Sequence, residues 1–399
     1  MPDAGGMATV EAEGVGPIRA APSGAAAPLR RRVYETVRAQ GRMSRADLAK
    51  ALGVSAGSVT PAAADLLSGG WLREVDDDAA PHGRGRPPVA LALEPGAGAV
   101  AGLRLSDHEH TGVVIDLAGR PVGYASLRRR ADTVAGLVAE ARTLVSRLAA
   151  AAEMPRASLA ALGVGLPGLV ERDSGLLRWS PLARDRDADL AAALRAATGL
   201  PVTVGNDTDM LTVAELWFGK GRGLSDFAVV SVENGIGMGL VVDHAPYRGA
   251  RGVGMELGHL CVALDGAACR CGRSGCLEAY VADYAVLRAA GLPEGAGVAA
   301  VAARAARGDA AARAALDEAS RYLALGLANV VNLFDPRHVI LSGAHSRLGS
   351  ADADALHGAV AAHALAAVPP IEVSAWDDLV WARGAAAMAL SDATPGLVG

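Results

Sequence analysis

Apolar positions recur at helical spacing just after Pro28: Leu29, Val33 and Val37 stand among arginines in LRRRVYETVRAQG, which predicts an amphipathic helix closed by Gly41. A second helix follows at once. Ser44 is a natural N-cap with Asp47 three residues on, so SRADLAKAL begins with something close to a capping box and stops at Gly53. Ser55 then caps a third helix, SAGSVTPAAADLLSGG, and the short helix, glycine-bearing turn, helix layout is that of a helix-turn-helix with the third helix as reader. Ser44, Arg45, Ser55, Ser58 and Thr60 are the candidate base or phosphate contacts on these helices. Pro61 falls about five positions into the reading helix, where its ring and missing N–H cost about 3 kcal/mol, so the helix is expected to begin later or to kink. After it, GWLREVDDDAAPHGRGRPPVALAL reads as two short strands and a loop, a wing with Arg84 and Arg86 at its tip, side chains that suit a narrow minor groove or phosphates.

Beyond Gly96 the period changes. AGAVAGLRLS and HTGVVIDLAG read as paired strands, ADTVAGLVAEARTLVSRLAAAA as a long helix, and LAALGVGLP and PVTVGND as buried strands. FAVVSVENGIGMGLVVD is a strand, a glycine-rich turn and a second strand; an alanine-rich helical run from Tyr280 to Asn332 and the strand RHVILSGA come later. Strands joined by hairpins and then by helices imply two α/β lobes with a ligand cleft between them. His108 and His110 flank Glu109 in an expected hairpin tip and are read as solvent-facing, not as a metal site.

Composition refines this outline. A chain of 399 residues with 51% hydrophobic content can bury cores for two or three domains, while a net charge of −5 says little about partners. The charge is unevenly placed. Arg30, Arg31, Arg32, Arg38, Arg42, Arg45, Lys50, Arg84 and Arg86 make one end basic, as phosphate binding requires, although Asp76, Asp77 and Asp78 dilute the effect. The Ala-, Gly- and Pro-rich residues 1–27 lack a signal-peptide apolar core and read as a disordered leader; no apolar run approaches membrane-span length. The expected division is therefore this leader, a winged helix-turn-helix over 28–94, a first lobe over 95–205 with about 385–399, and a second lobe over 206–384.

All four cysteines lie between His259 and Glu278, in HLCVALDGAACRCGRSGCLE. Soft ligands gathered this tightly suggest a tetrahedral metal site, and zinc suits mixed Cys and His ligation. Four ligands must be chosen from His259, Cys261, Cys269, Cys271 and Cys276. Cys261 looks like the spare, a small core hydrophobe, and the alternative is four reduced thiols with no metal. Cysteines confined to one cluster fit a reducing cytoplasm.

GVGLPGLVERDSG, the Asn206-Asp207 pair, GMELGHL and CRCGRSGCLE resemble, in order and approximate spacing, the ROK family of sugar kinases and sugar-responsive transcriptional repressors. The resemblance covers essentially everything after Pro28. It implies an actin-like, hexokinase-type, two-lobed α/β fold behind a winged helix-turn-helix. It also implies that Asn206, Asp207, Glu256, His259 and Glu278 line a sugar pocket, where carboxylates and an amide can satisfy hydroxyls that both donate and accept. His259 can then share zinc with Cys269, Cys271 and Cys276 through one ring nitrogen and meet a hydroxyl through the other, the zinc being structural.

The kinase branch of that family opens its first lobe with an aspartate and a Gly-Gly-Thr phosphate cradle. Here Arg104 stands at the aspartate, followed by Ser106 and Asp107 with no glycine pair, and Glu233-Asn234 occupies the second glycine turn, where a carboxylate would repel phosphates. Asp207 matches the base that would deprotonate an attacking hydroxyl. Two functions of different classes follow. One is a repressor, expected to be a homodimer or homotetramer, whose affinity for operator DNA a sugar or sugar phosphate alters; the other is an ATP-dependent sugar kinase with an added N-terminal module.

Overall fold

The computed structural model describes residues 14–18, 27–76, 89–343 and 353–399. Helix α1 (Leu29–Gln40) buries Val33, Tyr34 and Val37, the stripe set by its apolar period, and Gly41 ends it at φ 80°. Strand β1 (Arg42–Ser44) leads to α2 (Arg45–Leu52), whose Ser44 cap accepts the Asp47 N–H. Helix α3 (Ala56–Ser68) is capped the same way, Ser55 accepting from Ser58 N–H. It does not begin later than expected: Ala56 is its first residue and Pro61 lies inside it, on an exposed face where water can take the carbonyl that proline leaves unpaired. Strands β2 (Leu72–Asp76) and β3 (Val89–Leu93) pair antiparallel with β1 added beyond β3, so the helices and wing sheet share one small core.

The first lobe opens with β4 (Ala99–Arg104), β5 (Glu109–Asp116) and β6 (Pro121–Arg128), an antiparallel meander covered by α4 (Val134–Ala151). Strand β7 (Leu159–Leu166) runs parallel to β4, and a flap of β8 (Leu169–Glu171), β9 (Leu176–Trp179) and β10 (Ala188–Asp189) follows. Helix α5 (Leu190–Thr198) returns the chain to β11 (Val202–Asn206), parallel to β7, and α6 (Asp207–Phe218) leaves it.

The second lobe repeats that plan. Strands β12 (Phe227–Val232), β13 (Ile236–Val242) and β14 (Ala245–Pro246) form the meander. After α7 (Glu278–Val281), α8 (Asp283–Ala289), α9 (Val298–Ala306) and α10 (Ala310–Phe334), strand β15 (Val339–Ser342) joins parallel to β12. Helix α11 (Ala353–Ala361), β16 (Ile371–Val373) and α12 (Val380–Val398) complete the chain. Two sheets of the same order, each a meander with two parallel strands added, are the duplicated actin-like architecture, and ligands in such sheets sit outside the carboxyl ends of the strands.

Helices α6 and α12 fill the space between the sheets, their buried Met210, Leu211, Leu216, Ala385 and Met388 packing with Val100 and Ile115 of one lobe and Phe227 and Ile340 of the other. Gly102 lets α12 lie on β4, since a Cβ there would fall 2.0 Å from the Ala382 carbonyl. The same helix starts at Val380, ahead of the expected boundary near 385, and its end reaches further: Val398 is buried in the core of the winged module. No helix among the described residues is long and apolar enough to cross a membrane.

Three expectations change. Residues 14–18 of the leader are docked, not free: Val15 N–H donates to the Arg38 carbonyl at 2.8 Å and Gly16 N–H to that of Trp217 at 3.0 Å. Composition misses this because main-chain bonds need no apolar period. His110 is fully buried; its Nδ1 accepts the Ser106 N–H and its Nε2 lies 3.0 Å from Glu140 Oε2, while His108 is exposed. Strand β5 starts at Glu109, so His110 takes the strand's inward face while His108 lies in the exposed turn before it. Cys261 is exposed, so it is no core thiol.

Candidate functional site: an acid-lined cleft braced by a Cys and His cluster

A cleft of about 770 Å³ lies between the lobes, and Asn206, Asp207, Glu256, His259 and Glu278 all line it. Strand β11 delivers the first two at the start of α6. Asn206 is the N-cap: its Oδ1 accepts the Thr208 N–H at 2.7 Å and its Nδ2 donates to the Gly168 carbonyl at 2.7 Å. One donor and one acceptor of its amide are therefore spent on fixing the turn, leaving a second N–H and a second lone pair for a ligand. Asp207 opens on the cleft from the first turn of the same helix, where its charge suits the helix dipole. Burial nevertheless raises its pKa, opposed chiefly by the Arg104 guanidinium.

Glu256 and His259 are not on an α-helix. Met255 sits at φ 67°, Glu256 follows at φ −77° and ψ 56° with the Leu257 N–H bonded back to the Met255 carbonyl, and one 3₁₀ turn carries His259. This tight reversal projects Glu256 from its tip. Met255 occupies backbone space that favours glycine, a strain that persists where the surrounding structure fixes it. Glu278 begins α7, is nearly buried, and its Oε2 accepts the Ile236 N–H at 3.3 Å, holding the glycine turn of the second lobe.

The ligand atoms of His259, Cys269, Cys271 and Cys276 all lie within 4.8 Å of one another. Cys269 Sγ is 3.8 Å from His259 Nδ1, and Cys271 Sγ is 3.7 Å from Cys276 Sγ. A tetrahedral ion with metal–sulfur bonds of about 2.3 Å needs its sulfurs roughly 3.8 Å apart. The spacing and the donor set therefore fit such an ion, and Cys261 is not part of the cluster. Nδ1 faces the sulfurs while Nε2 lies 4.0 Å from Glu256 Oε2, so the two ring nitrogens point to the two halves of the site.

At the other end of the cleft, Arg104 from β4 stacks 3.7 Å over the Trp381 ring of α12 and reaches within 3.8 Å of Glu233 Oε2, which follows β12. A side chain from each lobe thus meets across the gap. Burial pushes the Glu233 carboxyl up to about 7, against the pull of Arg104. Ser106 and Asp107 also line this end.

Lining residues that local sequence signals did not single out include Asp209, Trp179 and Arg186. Asp209 shares the first turn of α6, and burial raises its pKa against Arg172. Its place two residues after Asp207 was a usable signal. Trp179, 41% exposed on the flap, had only the scarcity of aromatic residues to mark it.

In the winged module, Ser55, Ser58 and Thr60 are exposed on the first turns of α3. Their hydroxyls already pair locally, Ser55 with Ser58 at 2.9 Å and Thr60 with the Ala56 carbonyl at 2.9 Å. Ser44 is engaged in its cap, and Arg45 pairs with Glu74 of β2 at 2.8 Å, tying α2 to the wing. Arg84 and Arg86 lie outside the described residues.

Fold and cleft together define a two-lobed, actin-like protein of the sugar-kinase type that carries an N-terminal winged module. A profile of the ROK family matches residues 100–391, and the chain belongs to that family. It is similar to the putative xylose repressor of Caldicellulosiruptor sp. (strain Rt8B.4), at 26% identity over 380 residues, 90% of this chain and 94% of the relative. Among solved structures it is similar to a ROK family transcriptional regulator described as a homologue of the E. coli MLC protein, with a TM-score of 0.78 at 25% identity over 92% of this chain and 96% of that one. The ROK hexokinase from Thermus thermophilus matches with a TM-score of 0.65 at 29% identity, over 98% of its own length but 74% of this chain.

Proposed function

We propose that this chain is a sugar-responsive DNA-binding repressor of carbohydrate genes, acting as a homodimer or larger symmetric assembly, and not a sugar kinase. The observation that carries the reading is the winged module fused into the lobes: a repressor-type relative spans nearly the whole chain, whereas a kinase of the same family spans 74% of it. The far end of the cleft supports the same conclusion. A kinase needs donors there to cradle phosphates; Arg104 is instead stacked on Trp381 and turned to Glu233, and the acidic Glu233 and Asp107 face the same space. Asp207, held opposite Arg104, serves as a hydroxyl ligand and not as a base.

The sugar end would hold its ligand through Asp207, Glu256, Glu278 and His259 Nε2, with Asn206 fixing the floor. Zinc held by His259, Cys269, Cys271 and Cys276 would supply structural bracing, since four protein ligands close its shell. Ser55, Ser58 and Thr60 would present the reading helix to a major groove, with Arg84 and Arg86 at the wing, and symmetric half-sites would call for paired modules. Sugar binding shifts operator affinity only so far as it favours one lobe arrangement over another.

The test pairs two assays on the full chain. Duplexes selected by the protein from a random pool should bind with an affinity that changes on adding D-xylose or another sugar of a hexose and pentose panel. ATP consumption over the same panel should stay at background, and turnover at enzyme-like rates would sink the repressor reading.

A further inference from the structure

Helix α6 begins in the cleft with Asp207 and ends at Phe218, beside the winged module. Its last turn meets three separate elements there. The guanidinium of Arg38, nearly buried at the end of α1, lies 4.3 Å over the Trp217 ring and donates to Thr394 Oγ1 of α12 at 3.3 Å. The Trp217 carbonyl accepts the Gly16 N–H, and the Arg38 carbonyl accepts the Val15 N–H, so residues 14–18 bridge α1 and α6. Just past α6, Arg222 donates to the Ala39 carbonyl of α1 at 2.8 Å, and its own carbonyl accepts the Ile18 N–H at 2.9 Å.

Side chains seat this segment as well. Val15 packs into the core between the lobes, and a Cβ on Gly119 would fall 2.5 Å from it. Gly14 passes so close to α1 that any Cβ would strike the Arg38 carbonyl and the Gly41 nitrogen, and Gly16 adopts φ 98°; glycine satisfies both at no steric cost. A segment bonded through consecutive residues to two elements holds them in one relation. It does so at the foot of the helix that starts in the cleft at Asp207.

We infer that residues 14–18, with Arg38 and Arg222, form a clasp that makes α6 the lever through which the cleft acts on the winged module. The inference rests on the sugar-responsive reading above and names the part that transmits it. Carried in this way, a displacement at Asp207 reaches α1 as a shift of Trp217 without passing through the wing or the zinc cluster. Coupling of this kind is expected to change operator affinity by about 5- to 150-fold.

The experiment uses the full chain, a duplex selected from a random pool, and the sugars of the D-xylose-containing panel, comparing the wild type with Val15→Asp and, as a milder change, Arg222→Lys. Calorimetric sugar affinity and sugar-free duplex affinity should stay within about twofold in both variants, while the sugar-induced change in duplex affinity falls from at least about fivefold to under about twofold. Hydrogen exchange should rise at amides of residues 33–40 and 211–218, with residues 137–148 of α4 unchanged as a control for folding. A full sugar response in both variants would overturn the clasp. If the wild type itself shows no response to any sugar, the sugar-responsive reading fails; the clasp is then decided by exchange, and unchanged protection of residues 33–40 in Val15→Asp overturns it.

Discussion

The two ends of the cleft are lined by similar residue types and behave differently. At one end, Asp207, Glu256 and His259 line the cleft, and His259 also belongs to the Cys and His cluster. At the far end, Arg104 is stacked on Trp381 and faced by Glu233, so the polar groups answer one another across the lobes. Glu256 Oε2 and His259 Nε2 stand 4.0 Å apart, too far for a hydrogen bond, whereas Arg104 is already stacked on a ring, so the first end keeps hydrogen-bonding capacity that the second has largely used. The two halves of one cleft thus differ in how far their polar groups answer one another across the lobes.

The strongest way to break this contrast is to remove the brace. Cys276→Ser, or exhaustive chelation, should lower the melting temperature by roughly 10 °C, equivalent to several kcal/mol, and abolish sugar binding. Sugar affinity that survived complete metal removal would separate the cluster from the pocket. Next in size, Asp207→Asn should weaken the bound sugar roughly 10- to 100-fold by calorimetry, the worth of a charge-assisted hydrogen bond of about 1.5–3 kcal/mol. Arg104→Ala should leave that affinity within a few fold; an equal loss in both would erase the distinction between the ends. Trp179→Ala tests the flap: loss of a ring face beside the sugar should cost about tenfold, and Trp179→Phe should recover most of it.

The smallest effect is a pH dependence. The Glu233 carboxyl titrates near 7, above its ordinary 4.5, so its contribution to stability is complete below about pH 4.5 and is lost as pH rises through 7. Glu233→Gln has no charge to bury, and urea unfolding should show the wild type losing stability relative to it across that interval. Parallel pH profiles would mean that Arg104 compensates the charge fully.

Much of the site was legible because its signals are local. The cysteine cluster spans a short loop, Ser44 and Ser55 cap helices that begin one residue later, and Asn206, Asp207, Glu256, His259 and Glu278, which all line the cleft, stand in short motifs. Other readings failed at long range. His110 sits in the hairpin region expected of it yet points inward onto Glu140, and Asn206 lines the pocket with its amide already bonded to Gly168. Trp179 and Arg186 join the cleft through a flap whose placement depends on strand pairing, which no local period reveals.

The amino-acid order by itself determined most of the elements, the two-lobed α/β plan and the gathering of the Cys and His cluster, because caps, periodicity and short spacings act between residues close along the chain. Only the tertiary structure decided that Arg104 meets Trp381 and Glu233, and that Val15 and Arg38 meet Trp217. Those pairings join segments more than a hundred residues apart along the chain, and they exist because α6 and α12 must bury apolar faces against both sheets at once, which brings their polar neighbours together.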